Sequence, residues 1–246
     1  MPDSRRHRGP DPRDADSFGP SSLPALRAAV RDLSWLLSRG YAPVSALKLV
    51  GDRWSLTERQ RMAVRRSACS DDARMRRRAG ECAAAELAGG ELWIDGFNVV
   101  TTIETWLGGG VVLRCRDGAY RDLAGVHGTY RRVAETLPSI EVLAAGLAGL
   151  RVRRARWFFD RPVSNSGRIG ALMLQHAAEA SRDWPVELVD DPDPILKRAT
   201  EIVATADSAI IDAGPRWFNL VRHLIESANG GGPVIDIAGG SDESRA

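Results

Sequence analysis

Four short apolar runs each lead to aspartate. Leu92-Trp93-Ile94 ends at Asp95, Arg156–Phe159 ends at Asp160, and Val186–Val189 ends at Asp190 and Asp191. Ile202–Ala204 leads through Thr205 and Ala206 to Asp207. If these runs are parallel strands of one open sheet, their carboxyl ends face one crevice, the place where ligands bind in such sheets. Carboxylates gathered there from distant parts of the chain repel one another and raise one another's pKa unless a cation joins them. Mg²⁺ or Mn²⁺ takes oxygen ligands, and Mg²⁺ keeps several waters, so a few carboxylates make an open site. Such an ion orients a water and stabilises charge on a phosphodiester oxygen. The expected chemistry is metal-assisted cutting of nucleic acid, with Asp95, Asp160 and Asp207 as catalytic ligands. Asp190 or Asp191 would be a further ligand, and the sequence does not choose between them. The competing reading is structural, because aspartate after a strand also starts turns and caps helices.

The elements that must position these acids alternate. Between the apolar runs lie helical stretches at Thr129–Leu137, Pro138–Leu150 and Ser166–Arg182, and another follows at Pro215–Ser227. Strands alternating with helices predict a mainly parallel sheet covered on both faces. Val111–Leu113 and Val234–Ile237 are candidates for further strands. Upstream the pattern is helical. An amphipathic stretch at Leu23–Ser38 stops at Gly40, and Pro43 opens a second helix. Ser55-Leu-Thr-Glu58 has the form of a capping box for a third. Ser70 or Asp71 caps a fourth, expected from Ala73 to Leu87 and ended by Gly89-Gly90. The expected organisation is a disordered tail over 1–22, a small all-α domain over 23–90, an α/β domain over 91–238 and a disordered tail over 239–246.

Two segments carry a family resemblance. Trp93-Ile-Asp-Gly-Phe-Asn-Val-Val100 resembles the first strand of the PIN and NYN ribonuclease superfamily, whose first acid sits in a D-G-[YF]-N motif. Ala204-Thr-Ala-Asp-Ser208 is similar to that superfamily's later T-x-D segment. As a whole the chain resembles the family named domain of unknown function 434, which joins a small helical domain to a PIN-like one. The matching stretches are Leu36–Asp72, Asp95–Glu104, Arg116–Tyr130, Phe159–Gly167 and Ala204–Asp212. The resemblance implies a PIN-like α/β fold with Asp95 and Asp207 as metal ligands. It implies that Asn98 holds the turn that aims Asp95. Glu104, on a helix over Val99–Leu107, stands for the superfamily's second acid by a looser match. Asp160 stands where NYN domains often carry an acid.

Substrate contacts are expected from two places. Arg74, Arg77 and Arg78 fall at i, i+3 and i+4, one face of the fourth helix. The polar loop Asp160–Gly167 leads into a helix, so Arg161, Ser164, Asn165, Ser166 and Arg168 are candidates to hold a phosphate at its N-terminus. His127, in the Gly-rich segment Arg116–Gly128, is a candidate acid or base. Further arginine clusters stand at Arg5, Arg6 and Arg8 and at Arg151, Arg153, Arg154 and Arg156. The net charge of +2 does not by itself announce a nucleic-acid binder. Three widely spaced cysteines give neither a disulfide framework nor a CxxC knuckle, which suits a reducing cytoplasm. No apolar run approaches the roughly 18 residues that cross a bilayer, and the N-terminus lacks a signal peptide's apolar region. No P-loop or dinucleotide fingerprint is present, which weighs against a phosphatase or nucleotide-binding enzyme. The expected function is a Mg- or Mn-dependent nuclease acting on RNA rather than DNA. The alternative is a non-catalytic RNA-binding module on the same shell. The oligomeric state stays open.

Overall fold

The computed structural model describes residues 9–124, 130–228 and 230–239. Arg5, Arg6, Arg8, His127 and the tail from 240 to 246 lie outside the described residues. The chain runs α1 (Asp14–Phe18), α2 (Leu23–Ser38), α3 (Pro43–Arg53), α4 (Glu58–Ser67), α5 (Asp71–Gly80), β1 (Glu91–Asp95), α6 (Gly96–Leu107), β2 (Val112–Arg114) and β3 (Tyr120–Asp122). It continues α7 (Thr136–Gly149), β4 (Arg154–Asp160), α8 (Ser166–Glu179), β5 (Val186–Val189), α9 (Asp193–Leu196), β6 (Ile202–Ala204), α10 (Ser208–Ile211), β7 (Trp217–Phe218), α11 (Leu220–Ser227) and β8 (Val234–Asp236). A helical N-terminal region therefore precedes an α/β region.

In the helical region, Leu26, Ala29, Val30, Leu33 and Leu36 form the buried stripe of α2. The capping box sits at Thr57 and Gln60, not at Ser55 and Glu58. The Thr57 hydroxyl accepts from the Gln60 amide and the Gln60 side chain accepts from the Thr57 amide. Ser55 is in the left-handed region at φ 47°, so it turns the chain ahead of the helix. Ser70 caps α5 by accepting from the Ala73 amide. That helix ends at Gly80 rather than Leu87, because Glu81 bridges to Trp217 and draws the backbone to the edge of the main sheet. The tail expected over 1–22 is corrected in its described part, residues 9–22. Residues 14–18 are helical, Phe18 is buried in the helical core, and Asp14 pairs with Arg59.

The main sheet has five strands in the order β5-β4-β1-β6-β7, all parallel. A second sheet, β3-β2-β8, carries Val111, Leu113, Cys115, Leu123 and Ile237 into the same core as α2, α3 and α4. The helical region thus closes directly onto the α/β region through this small sheet. The main sheet is covered unequally. Leu92, Ile94, Trp157 and Phe159 share a large core with α6, α7, α8 and α11. On the other face Trp93, Phe158 and Val203 pack with residues of the short α9 and α10 and the turn beside them. Two expected helices differ. Residues 130–135 are not helical and α7 starts at Thr136, while the stretch expected from Pro215 opens as strand β7 before α11.

The turn from β1 into α6 is tight. A Cβ on Gly96 would stand 2.7 Å from the Phe158 carbonyl oxygen and 2.5 Å from the Phe159 ring. Backbone cannot yield as a flexible side-chain end can, so Gly96→Ala should lower unfolding stability by about 1–3 kcal/mol. Gly149→Ala, where a Cβ meets nothing within 4 Å, should leave it unchanged or slightly raised. Urea unfolding of the two variants beside wild type checks this.

Candidate functional site

The strand order reverses at β1: β4 and β5 lie on one side, β6 and β7 on the other. Asp95 is the last residue of β1, at that switch point. It pairs in register with Phe158 of β4, so Asp160 stands two residues further along on the same face. On the other side the Thr205 hydroxyl, just past β6, donates to Asp95 Oδ2 at 2.8 Å, and Asp207 stands two residues beyond Thr205. Asn98, one turn into α6, accepts from the Ala206 amide at 2.9 Å and ties the β6–α10 turn to the start of α6. All three acids lie at the carboxyl ends of neighbouring strands, on the face covered only by α9 and α10.

Their electrostatics follow from this placement. Burial pushes Asp95 up from 3.8 to about 7. The Thr205 hydroxyl and the Asn98 amide pull it down, while the carboxylates of Asp207 and Asp160 push it up. Asp160 is also raised, first by burial and then by Asp191 and Asp193. Asp207 has a structural task too, since its Oδ1 accepts from the Ala209 amide and caps α10. Among the described residues, no three histidine, cysteine, aspartate or glutamate side chains stand close enough together to hold a metal ion. The two-residue offset accounts for this, because two residues of strand span about 6–7 Å.

Several expected site residues stand elsewhere. Glu104 is fully buried on the core side of α6, where it accepts from the Thr136 hydroxyl at 2.6 Å and from Tyr130. Nine residues along a helix from Asp95 turn it away from the strand ends. Asp190 is turned to Arg161, at 3.2 Å. Asp191 is the acid of that pair felt by Asp160, and its Oδ1 holds the Asp193 amide. The loop before α8 is bonded within itself and to Tyr130. The Ser166 hydroxyl donates to the Arg161 carbonyl, the Ser164 carbonyl accepts from the Tyr130 amide, and Asn165 Nδ2 donates to the Tyr130 carbonyl. Arg168 lines a separate cavity of about 710 Å³ with Arg131, Arg132 and Gln175. Arg77 is buried and bound to Asp117 and Asp212, whereas Arg74 and Arg78 are exposed. Arg154 and Arg156 pair with Asp183, Glu91 and Glu187.

A cavity of about 320 Å³ opens beside Asp207. Asn98, Ala206, Asp207 and Ser208 line it from the site, and Arg65, Arg66, Arg77 and Arg121 line it from α4, α5 and β3. The sequence reading missed Arg65, Arg66 and Arg121, and it named Thr205 as part of the T-x-D segment without giving it a role. The doubled arginine at the end of α4 and the polar texture around Arg121 could have signalled the arginines.

Comparison with known proteins divides the chain as the fold does. The model described as Protein of unknown function (DUF434) matches residues 25–79. That described as Domain of unknown function (DUF5616) matches residues 84–223, more than half of the chain. The chain belongs to this second family. The resemblance to one family in stretches from Leu36 to Asp212 is thus carried by two. An uncharacterized protein of Methanocaldococcus jannaschii is 29% identical over 187 residues, 76% of this chain and 89% of its own length. No solved structure matches. Among the described residues no helix is long and apolar enough to cross a membrane.

Asp95 makes a pH prediction. Its folded value of about 7 lies above the usual 3.8. The folded state therefore binds more protons than the unfolded state between these values, and stability falls as pH rises through this window. In chelator, wild type should lose stability from pH 5 to pH 8, and Asp95→Asn should lose less. The gap at pH 8 should reach at least ~1 kcal/mol. Asp207→Asn keeps the α10 cap, whereas Asp207→Ala should cost about 1 kcal/mol more. Denaturant melts at the two pH values measure both effects.

Proposed function

We propose that this member of the DUF5616 family is a divalent-metal-dependent nuclease of PIN-like fold that acts on RNA rather than DNA. The observation that carries the reading is Asp95: a carboxylate at the switch point of a parallel sheet, raised to about 7 and flanked on both neighbouring strands by acids that raise it further. A strongly perturbed acid at the carboxyl ends of such a sheet is the mark of a functional site more often than of a structural one. The runs Asp95-Gly96-Phe97-Asn98 and Thr205-Ala206-Asp207 support the PIN-like reading, and Asn98 ties the two together through the Ala206 amide.

Asp95, Asp160 and Asp207 would hold the metal, Mg²⁺ or Mn²⁺. Their chemistry fits an ion that takes oxygen ligands and keeps several of its own waters. When bound, the ion supplies an oriented water and charge neutralisation at the phosphodiester. Asp95 supplies the negative charge at the centre, the Thr205 hydroxyl fixes its Oδ2, and Asn98 keeps the β6–α10 turn in place.

A second reading is favoured by one specific finding, that no three described carboxylates already stand at metal-binding spacing. On that reading the chain binds RNA without cutting it. Single-stranded RNA and DNA panels, with Mg²⁺, Mn²⁺ or chelator, separate the two. Wild type should cut RNA only with metal, and Asp95→Asn should lose most of the cleavage while its circular dichroism stays unchanged. Undiminished cleavage by the folded variant would remove Asp95 from the mechanism. Binding without cleavage under every metal condition would establish the second reading.

A further inference from the structure

We infer that the cavity between α4, α6, β3 and the β6–α10 turn seats a phosphate group of a nucleic-acid strand, with Arg65 and Arg66 as the side chains that hold it. This deepens the proposed function and rests on it for the class of ligand.

The walls of the cavity differ in how far their charges are already used. Arg77 and Arg121 both grip Asp117, at 2.6 and 2.7 Å. Arg77 also binds Asp212, and Arg121 donates to the Ala206 carbonyl at 2.7 Å. These two guanidiniums form a fixed wall rather than a free anion site. Arg66 gives one N–H to the Asp122 carbonyl at 2.5 Å, with an Asp122 carboxylate oxygen at 3.7 Å. A guanidinium carries five N–H donors, so Arg66 keeps others to offer while its position is pinned. Arg65 is exposed and makes no side-chain hydrogen bond or ion pair among the described residues. It is the surplus positive charge of the cavity.

Opposite these arginines stand Asn98, Asp207 and the Ser208 hydroxyl. Arg65 and Asp207 do not pair across the cavity, although they share its walls. The lining of this space of about 320 Å³ sets four arginines, Arg65, Arg66, Arg77 and Arg121, against two carboxylates, Asp122 and Asp207, an excess of positive charge that suits a phosphate. Guanidinium binds phosphate oxygens by charge-assisted, often bidentate hydrogen bonds. A phosphate held there would lie next to the Asp95 centre. The helical region would contribute the arm that sets the strand's position, without reading bases.

The test measures binding in chelator, so it does not depend on cleavage. The probe is a fluorescein-labelled single-stranded RNA oligonucleotide, with and without a 5′-phosphate, followed by anisotropy across a salt series. Arg65→Gln with Arg66→Gln should weaken binding at least tenfold at moderate salt. It should also lower the log–log salt slope by about 0.7 per lost contact. Arg65→Gln alone should give part of this loss with an unchanged melting temperature, so misfolding cannot account for it. A loss confined to the 5′-phosphorylated probe assigns the seat to a terminal phosphate, and an equal loss to an internal one. The exposed pair Arg151→Gln with Arg153→Gln, at the amino end of β4, should change affinity less than twofold. Equal losses from both pairs, or none from Arg65 and Arg66, would overturn the inference. In that case, metal-dependent cleavage lost with Asp95→Asn would leave the nuclease reading standing. A protein that never cuts but binds RNA through Arg65 and Arg66 would keep the inference and drop the nuclease.

Discussion

The arrangement turns on one buried carboxylate. Asp117 is gripped by Arg77 from α5 and by Arg121 from β3, and all three side chains are almost fully buried. Two guanidiniums overcome the burial that would otherwise raise it and hold Asp117 down at about 2. Removing one partner of such a group leaves an uncompensated buried charge, at a typical cost of about 3–5 kcal/mol. The same cluster reaches outward. Arg77 continues to Asp212 just past α10, its carbonyl accepts from the Trp217 indole of β7, and Arg121 continues to the Ala206 carbonyl. The position of the helical region over the carboxyl ends of β6 and β7 is therefore set by charge and hydrogen bonds. That position is what brings Arg65 and Arg66 to the cavity beside Asp207.

The unequal cover of the main sheet decides where its acids can be reached. Side chains alternate across a strand, so Leu92 and Ile94 share one face and Trp93 and Asp95 the other. The first face is closed by α6, α7, α8 and α11. The second is closed by α9 and α10, four residues each, and their shortness leaves Asp95, Asp160 and Asp207 partly open. Register then explains both why these acids influence one another and why they are not packed together. Asp95 is level with Phe158, and its two neighbours are displaced along the strands by the same number of residues.

Much of this was legible in the sequence, and for identifiable reasons. The strands at Leu92, Arg156, Val186 and Ile202 are short, mostly apolar runs ended by polar residues, a local signal that survived into the fold. The acids after them followed at once. Glu104 shows where locality ended. Counting nine residues from Asp95 placed it near the site, but the direction of a helical side chain depends on which face the core claims, and the core claimed this one for Tyr130 and Thr136. Arg77 failed for a related reason. Its spacing with Arg74 and Arg78 suggested one shared helical face, yet Arg77 is buried while the other two are exposed, because its partners Asp117 and Asp212 lie 40 and 135 residues away. Strand β3 is three residues of mixed polarity, Tyr120–Asp122, and it exists because β2 pairs with it rather than through any pattern of its own.

Asp95 and Asp117 show how the chain treats one residue type in opposite ways. Both carry burial that opposes ionisation. Asp117 receives two arginines, falls to about 2 and joins two regions of the fold. Asp95 receives a hydroxyl and an amide, has two carboxylates as neighbours and rises to about 7. Arginine is not scarce near Asp95, since four line the adjoining cavity. They are bound to other acids or turned to the cavity, and none forms an ion pair with Asp95 among the described residues. A structural carboxylate in that position would be stabilised by pairing with one of them. A carboxylate kept clear of them, at the switch point of the sheet, has most to gain from a cation that arrives with the reaction, and that contrast is the physical ground for centring the proposed site on Asp95.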